Sequence, residues 1–93
     1  MVINGSDMDI VMIKKQGCMP CETFEPEARK MSEENGINFR IVPQEIMPPE
    51  MRPPFFPYFH LMEGKELIES WGGVKGRKFL SVIKRNKNKK DGE

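Results

Sequence analysis

The chain has 93 residues, enough for one domain with a small core. Hydrophobic residues make up 38% and charged residues 31%, which excludes a wholly disordered chain. With 15 basic and 14 acidic residues the formal charge is +1, so no global charge argument points to nucleic acid or an anionic membrane as partner.

Residues Met1 to Asp9 carry Asn4, Gly5, Ser6, Asp7 and Asp9, and lack the basic start and apolar stretch of a secretory signal. The longest apolar run in the chain, Ile10 to Ile13, is far too short to cross a bilayer. A cytoplasmic protein away from the membrane is expected. In that compartment a close cysteine pair is more often catalytic or metal-binding than structural.

Met8 to Ile13 is apolar and rich in Ile and Val, and reads as a buried strand. Lys14 to Gly17 break it. From Cys21 to about Asn35, Phe24, Ala28 and Met31 recur on one helical face, and Asn35-Gly36 supplies the stop. Pro26 lies inside this helix and should kink it. Ile37 to Val42 alternates, with Ile37, Phe39 and Ile41 on one face, so it reads as a second strand. A parallel, right-handed βαβ unit follows from this order.

Pro43 to Pro57 contains Pro43, Pro48, Pro49, Pro53, Pro54 and Pro57, which forbid a long helix and leave at most one short helical turn near Gln44 to Met47. Tyr58 to Met62 and Glu66 to Trp71 form an antiparallel hairpin around Glu63-Gly64-Lys65. Gly72-Gly73 opens into a last helix, roughly Lys75 to Asn86, with Phe79, Leu80 and Ile83 inward. The expected fold class is α/β: a β-α-β-β-β-α core with a four-stranded mixed sheet flanked by helices, at least one on each face. A single domain spans 1–93, with its core at about 8–86 and a basic, frayed tail at 87–93. The crowding of Lys84, Arg85, Lys87, Lys89 and Lys90 suits the negative end of a helix dipole; the alternative is a docking patch for an acidic partner.

Cys18-Met19-Pro20-Cys21 follows a predicted strand and opens a predicted helix. A sulfur at Cys18 would meet free N–H groups and the positive end of the dipole, which favour the thiolate and lower the pKa, to about 3.5–7.5 at such sites. Cys21, one turn on, would be more buried and would resolve the mixed disulfide. Pro20 suits the first turn, where its missing N–H costs nothing. Half a zinc site is the first alternative, since two Cys and one His leave a zinc ion short of four ligands. Two plain core cysteines are the other. The strand-to-helix context favours redox chemistry.

The stretch Cys18-Met-Pro-Cys-Glu-Thr-Phe-Glu-Pro26 resembles the thioredoxin signature, with Pro26 at the position of its helix proline. Phe56-Pro57-Tyr58 resembles the family's cis-proline segment, Glu63-Gly64-Lys65-Glu66 its hairpin turn, and Gly72 the glycine after its last strand. The similarity covers about Asp9 to Asn86. It implies a thioredoxin-like fold in which Cys18 attacks and Cys21 resolves, Pro57 is cis, and Phe56 presents its backbone to the substrate. Met19 and Gly72 are further substrate-binding candidates.

The implied function is reduction of protein disulfides by a monomer that needs no cofactor or metal beyond the Cys18–Cys21 couple. Electrons would come from a reductase such as thioredoxin reductase. A glutathione-dependent glutaredoxin and a thioredoxin-fold binding module are the alternatives.

Departures from the family pattern are also visible. Gly17 replaces a Trp, Met12 stands where a buried Asp is frequent, and Glu22 replaces a Lys. Glu22 should raise the Cys18 pKa, an effect Lys14 or Lys15 would offset. The N-terminal strand and helix of full thioredoxins have no counterpart, and the Pro-rich loop takes the place of a third helix, which leaves a glutaredoxin-sized core. Gly72-Gly73 resembles the glutathione-holding glycines of glutaredoxins, but the Asp that follows there is missing, so a strand-to-helix turn is the simpler reading. His60, alone on a predicted strand, is read as structural. Of Phe55, Phe56, Tyr58 and Phe59, some must be core and one or two could face a substrate. The eight Met residues either fill gaps or, at Met19 and Met47, form an adaptable rim.

Overall fold

The computed structural model describes residues 8–91, with side chains through Lys87. β1 (Met8–Lys14) is built of Met, Ile and Val on both faces, the pattern of a strand covered on both sides. It occupies the middle of a four-stranded sheet with β2 (Asn38–Pro43) on one side and β3 (Tyr58–Glu63) on the other. β4 (Glu66–Gly72) completes the order β2-β1-β3-β4. β1 runs parallel to β2, pairing Ile10 with Phe39 and Met12 with Ile41. It runs antiparallel to β3, pairing Met12 with Phe59 and Ile13 with Tyr58. Gly64, at φ +61°, makes the tight turn of the β3–β4 hairpin.

α1 (Met19–Glu34) starts two residues earlier than its periodicity suggests, because Cys18 and Pro20 already satisfy its first turn. It runs through Pro26 and buries Cys21, Phe24, Ala28 and Met31. Asn35 and Gly36 end it as expected: their N–H groups bond the carbonyls of Ser32 and Glu33, and Gly36 takes φ +71°. The Pro-rich segment holds two short 3-10 turns, Gln44–Ile46 and Pro49–Met51, of which only the first was legible. α2 (Gly76–Asp91) runs five residues past its expected end. Of the tail expected to fray over 87–93, residues 87–91 continue α2, and 92–93 lie outside the described residues.

One expectation is corrected. The helices do not flank the sheet from opposite sides; α1 and α2 share one face. Phe24 of α1 and Phe79 of α2 meet edge to face with centroids 6.0 Å apart. Both rings pack on Phe59 of β3, at 5.9 and 5.1 Å. Trp71 of β4 stacks on Phe59 at 5.5 Å. Such pairs add about 0.5–1.5 kcal/mol each beyond area burial, so this aromatic cluster pins α2 to the face that α1 already covers. The inward stripe of α2 is Phe79, Val82 and Ile83, with Leu80 only partly buried. On the other face Val11 and Ile13 are buried beside half-buried Tyr58 and His60, and neither helix reaches them.

Candidate active site

Register alone gathers the candidate residues. Ile13 pairs with Tyr58, and Tyr58 with Gly72. The end of β1, the start of β3 and the end of β4 therefore lie at one end of the sheet. The residues just beyond them, 15–18, 55–57 and 73–75, form the loops there. Gly73 N–H donates to the Pro57 carbonyl at 2.9 Å and joins two of these loops. The Lys15 ammonium lies over the Phe56 ring, 5.7 Å from its centroid, and joins the third.

The chain leaves β1 through a tight turn in which Cys18 N–H donates to the Lys15 carbonyl at 3.2 Å. Gly17 takes φ +77°, a conformation that strongly favours glycine, which explains the glycine where related signatures carry Trp. The turn is held from outside: Gln16 N–H donates to Glu45 Oε2 at 3.1 Å, across 29 residues of sequence. That hydrogen bond is the chief reason the Glu45 carboxyl is held below the usual carboxylate range. Arg52 braces the same loop by donating from Nε to the Met47 carbonyl at 3.0 Å. Sequence reasoning missed Glu45; the only signal was an acidic residue in the one helical turn the prolines permit.

Cys18 is the N-cap of α1, in extended conformation at φ −87° and ψ 102°. Its Sγ accepts a hydrogen bond from Cys21 N–H at 3.2 Å. Cys18 and Cys21 are joined as a disulfide with Cα atoms 5.3 Å apart. Cys21 is wholly buried, whereas Cys18 keeps 7% of its surface exposed. Solvent thus reaches the first cysteine and not the second. Met12 is also wholly buried in the same core cluster as Cys21. The two buried polar side chains among the described residues, Ser32 and Asn86, satisfy themselves on carbonyls within their own helices.

The Phe56–Pro57 bond is cis, as the resemblance implied. Pro57 is fully buried, Phe56 half-buried and Phe55 exposed. Gly72 is required by packing: a Cβ there would meet Phe55 Cε2 at 2.5 Å and Tyr58 Cδ1 at 2.6 Å. Gly73 takes φ +103°, the turn into α2. The two glycines are thus accounted for by a strand-to-helix turn.

Lys14, considered as a charge offset for Glu22, is committed elsewhere, bridging Glu25 at 3.2 Å. His60 stands away from the sulfurs, sharing a 2.6 Å hydrogen bond between its Nδ1 and Ser70 Oγ. Among the described residues no group of three or more His, Cys, Asp or Glu is placed to hold a metal ion. No described helix is long and apolar enough to cross a membrane.

No model of a known protein family matches this sequence, and no curated protein is found similar to it. Solved structures do match. The Chlamydomonas reinhardtii thioredoxin f2 superposes with TM-score 0.76 at 23% identity, covering 87% of this chain and 80% of that one. The Fasciola hepatica thioredoxin gives 0.74 at 20% identity, covering 87% and 81%. A thioredoxin f2 solved with ferredoxin:thioredoxin reductase gives 0.76 at 17% identity, covering 88% and 79%. The chain therefore has the thioredoxin-like fold, with a bonded cysteine pair at the mouth of its first helix.

Proposed function

We propose that this chain is a thiol–disulfide oxidoreductase that reduces protein disulfides. One observation carries the reading: the less buried cysteine caps a helix and its sulfur accepts a backbone N–H, while the partner cysteine is wholly buried one turn behind. When the pair is reduced, the same N–H and the helix dipole favour the Cys18 thiolate. That thiolate attacks one sulfur of a substrate disulfide and displaces the other as thiolate. Cys21 then gives up its proton and attacks Cys18, restoring the Cys18–Cys21 disulfide and releasing the second substrate thiol. Met19, next to Cys18 in the chain, and Phe56 and cis-Pro57, in a loop at the same end of the sheet, are the proposed substrate contacts, with Gly72 packed against Phe55 and Tyr58 beside that loop.

The couple needs an electron donor to be reduced again. A reductase of the thioredoxin reductase kind fits this proposal, since a neighbour of the same fold was solved with its own reductase. The chain would act as a monomer in a reducing compartment such as the cytoplasm, without a metal or organic cofactor.

The test is insulin reduction under dithiothreitol. Cys18→Ser should fall to the rate of dithiothreitol alone, and Cys21→Ser should accumulate a mixed disulfide with its substrate. An active Cys18→Ser protein overturns the reading. Turnover with glutathione and glutathione reductase, and none with thioredoxin reductase, would replace it with a glutaredoxin.

A further inference from the structure

Next to the disulfide a groove of about 430 Å³ runs between α1 and the loop into α2, lined by Met19, Pro20, Thr23, Phe24, Glu27 and Val74. Met19, Thr23 and Glu27 are four residues apart in turn, so they stand in a row along one face of α1. The row begins beside Cys18 and ends about 12 Å away, at 1.5 Å per helical residue. Its near end is apolar: Met19 is 68% and Val74 47% exposed, and the largely buried Phe24 contributes to the lining. Its far end is Glu27, the only charged group lining it. Glu25, two residues earlier, is neutralised by Lys14 and Arg29. Among the described residues no ion pair engages Glu27, and neither Lys30 nor Lys75 is paired with it.

An apolar channel closed by a carboxylate that sits beside the first residue of α2 and has no ion pair among the described residues matches a side chain with an aliphatic stem and a cationic tip. Resting on the redox reading above, we propose that this groove selects protein-disulfide substrates with a lysine or arginine near the attacked cysteine. The stem lies on Met19, Phe24 and Val74, and the cation meets Glu27. An extended substrate advances about 3.3 Å per residue, so a cation two or three residues from the cysteine spans the groove with its own side chain.

The test uses peptides whose single cysteine is a mixed disulfide with 5-thio-2-nitrobenzoate. They differ only in carrying Lys, Glu or norleucine two or three residues to either side. The reduced protein attacks the mixed disulfide, and the second-order rate is read from the coloured thiolate. In the unmodified protein the Lys peptide should react faster than the Glu peptide by about three- to fivefold, the size of one exposed charge pair. The ratio should fall to near one in Glu27→Gln, invert in Glu27→Lys, and shrink with added salt. Because each ratio is taken within one protein, a general change in sulfur reactivity cancels. Equal rates in the unmodified protein, or a ratio untouched by Glu27→Gln, overturn the proposal while leaving the redox reading intact. Failure of every peptide to react removes the redox reading and this inference with it.

Discussion

His60 sits on the sheet face that neither helix covers, half-buried between Tyr58 and Ser70. Burial pushes its pKa below the ordinary value of 6.5. An unfolded chain then binds more protons than the folded one between about pH 6.5 and that lower value, so stability rises with pH across this window. Urea midpoints should therefore fall from pH 7.5 to 5. In His60→Gln the curve should be flatter over the same range; an unchanged slope would assign the dependence to another group. Gly73 gives a second prediction. Its φ of +103° is a region that side chains rarely adopt. Gly73→Ala should cost about 1–3 kcal/mol in chemical denaturation. Because Gly73 N–H holds the Pro57 carbonyl, the same variant should also slow insulin reduction.

Among the elements, α2 depends on β4 for more than apolar packing. Glu69 of β4 accepts hydrogen bonds from the Arg85 guanidinium and, at 3.0 Å, from Asn86 Nδ2. The Arg85 hydrogen bond is the main cause holding the Glu69 carboxyl below its usual 4.5. A depressed carboxylate contributes stability that is present above its unfolded value and disappears as pH falls through the folded one. The link should therefore fail only in acid, below the window that belongs to His60. In Glu69→Gln the loss of stability below about pH 4.5 should be shallower than in the unmodified protein, as a pH series of thermal midpoints would show. Steepening instead would mean that the carboxylate is not held by Arg85 in solution. The turn before Cys18 shows the same economy. Its Gln16 N–H is satisfied by Glu45 from a 3-10 turn of the Pro-rich loop, so a segment without strand or long helix still braces the turn before the sulfur.

At the scale of the whole molecule, β1 is the member everything else is built on. It is hydrogen-bonded on both edges and buried on both faces. Amides of Ile10 to Ile13 should exchange with solvent slowest, near the rate of global unfolding, and those of β2 and β4 should exchange faster as sheet edges. Edge amides outlasting those of β1 would mean that the hairpin and not the central strand is the stable unit.

Much of this architecture was already legible in the chain. The apolar run of β1, the alternation of β2, the hairpin turn and the helical stripe of Phe24, Ala28 and Met31 are local periodicities, and each element formed within a few residues of where they put it. The cysteine pair was legible for the same reason, since a strand ending and a helix beginning around four residues fix which sulfur caps the helix. The prolines correctly excluded a long helix from 43–57. They could not say that two turns would form there or that Glu45 would reach back to Gln16, because that contact joins residues 29 apart and has no local signature.

The side of the sheet that α2 takes is the clearest case of a feature decided in three dimensions. A crossover between parallel strands has a preferred hand, which places α1. No strand of this sheet follows α2, so no such rule applies to it. Its face is settled by where Phe59 and Trp71 point once β3 and β4 are in register. Sequence by itself thus determined the elements, their order and the close cysteine pair, because these follow from neighbours along the chain. Tertiary structure alone decided the shared helix face, the groove ending at Glu27 and the brace at Glu45, because each depends on groups that meet only after the chain has folded.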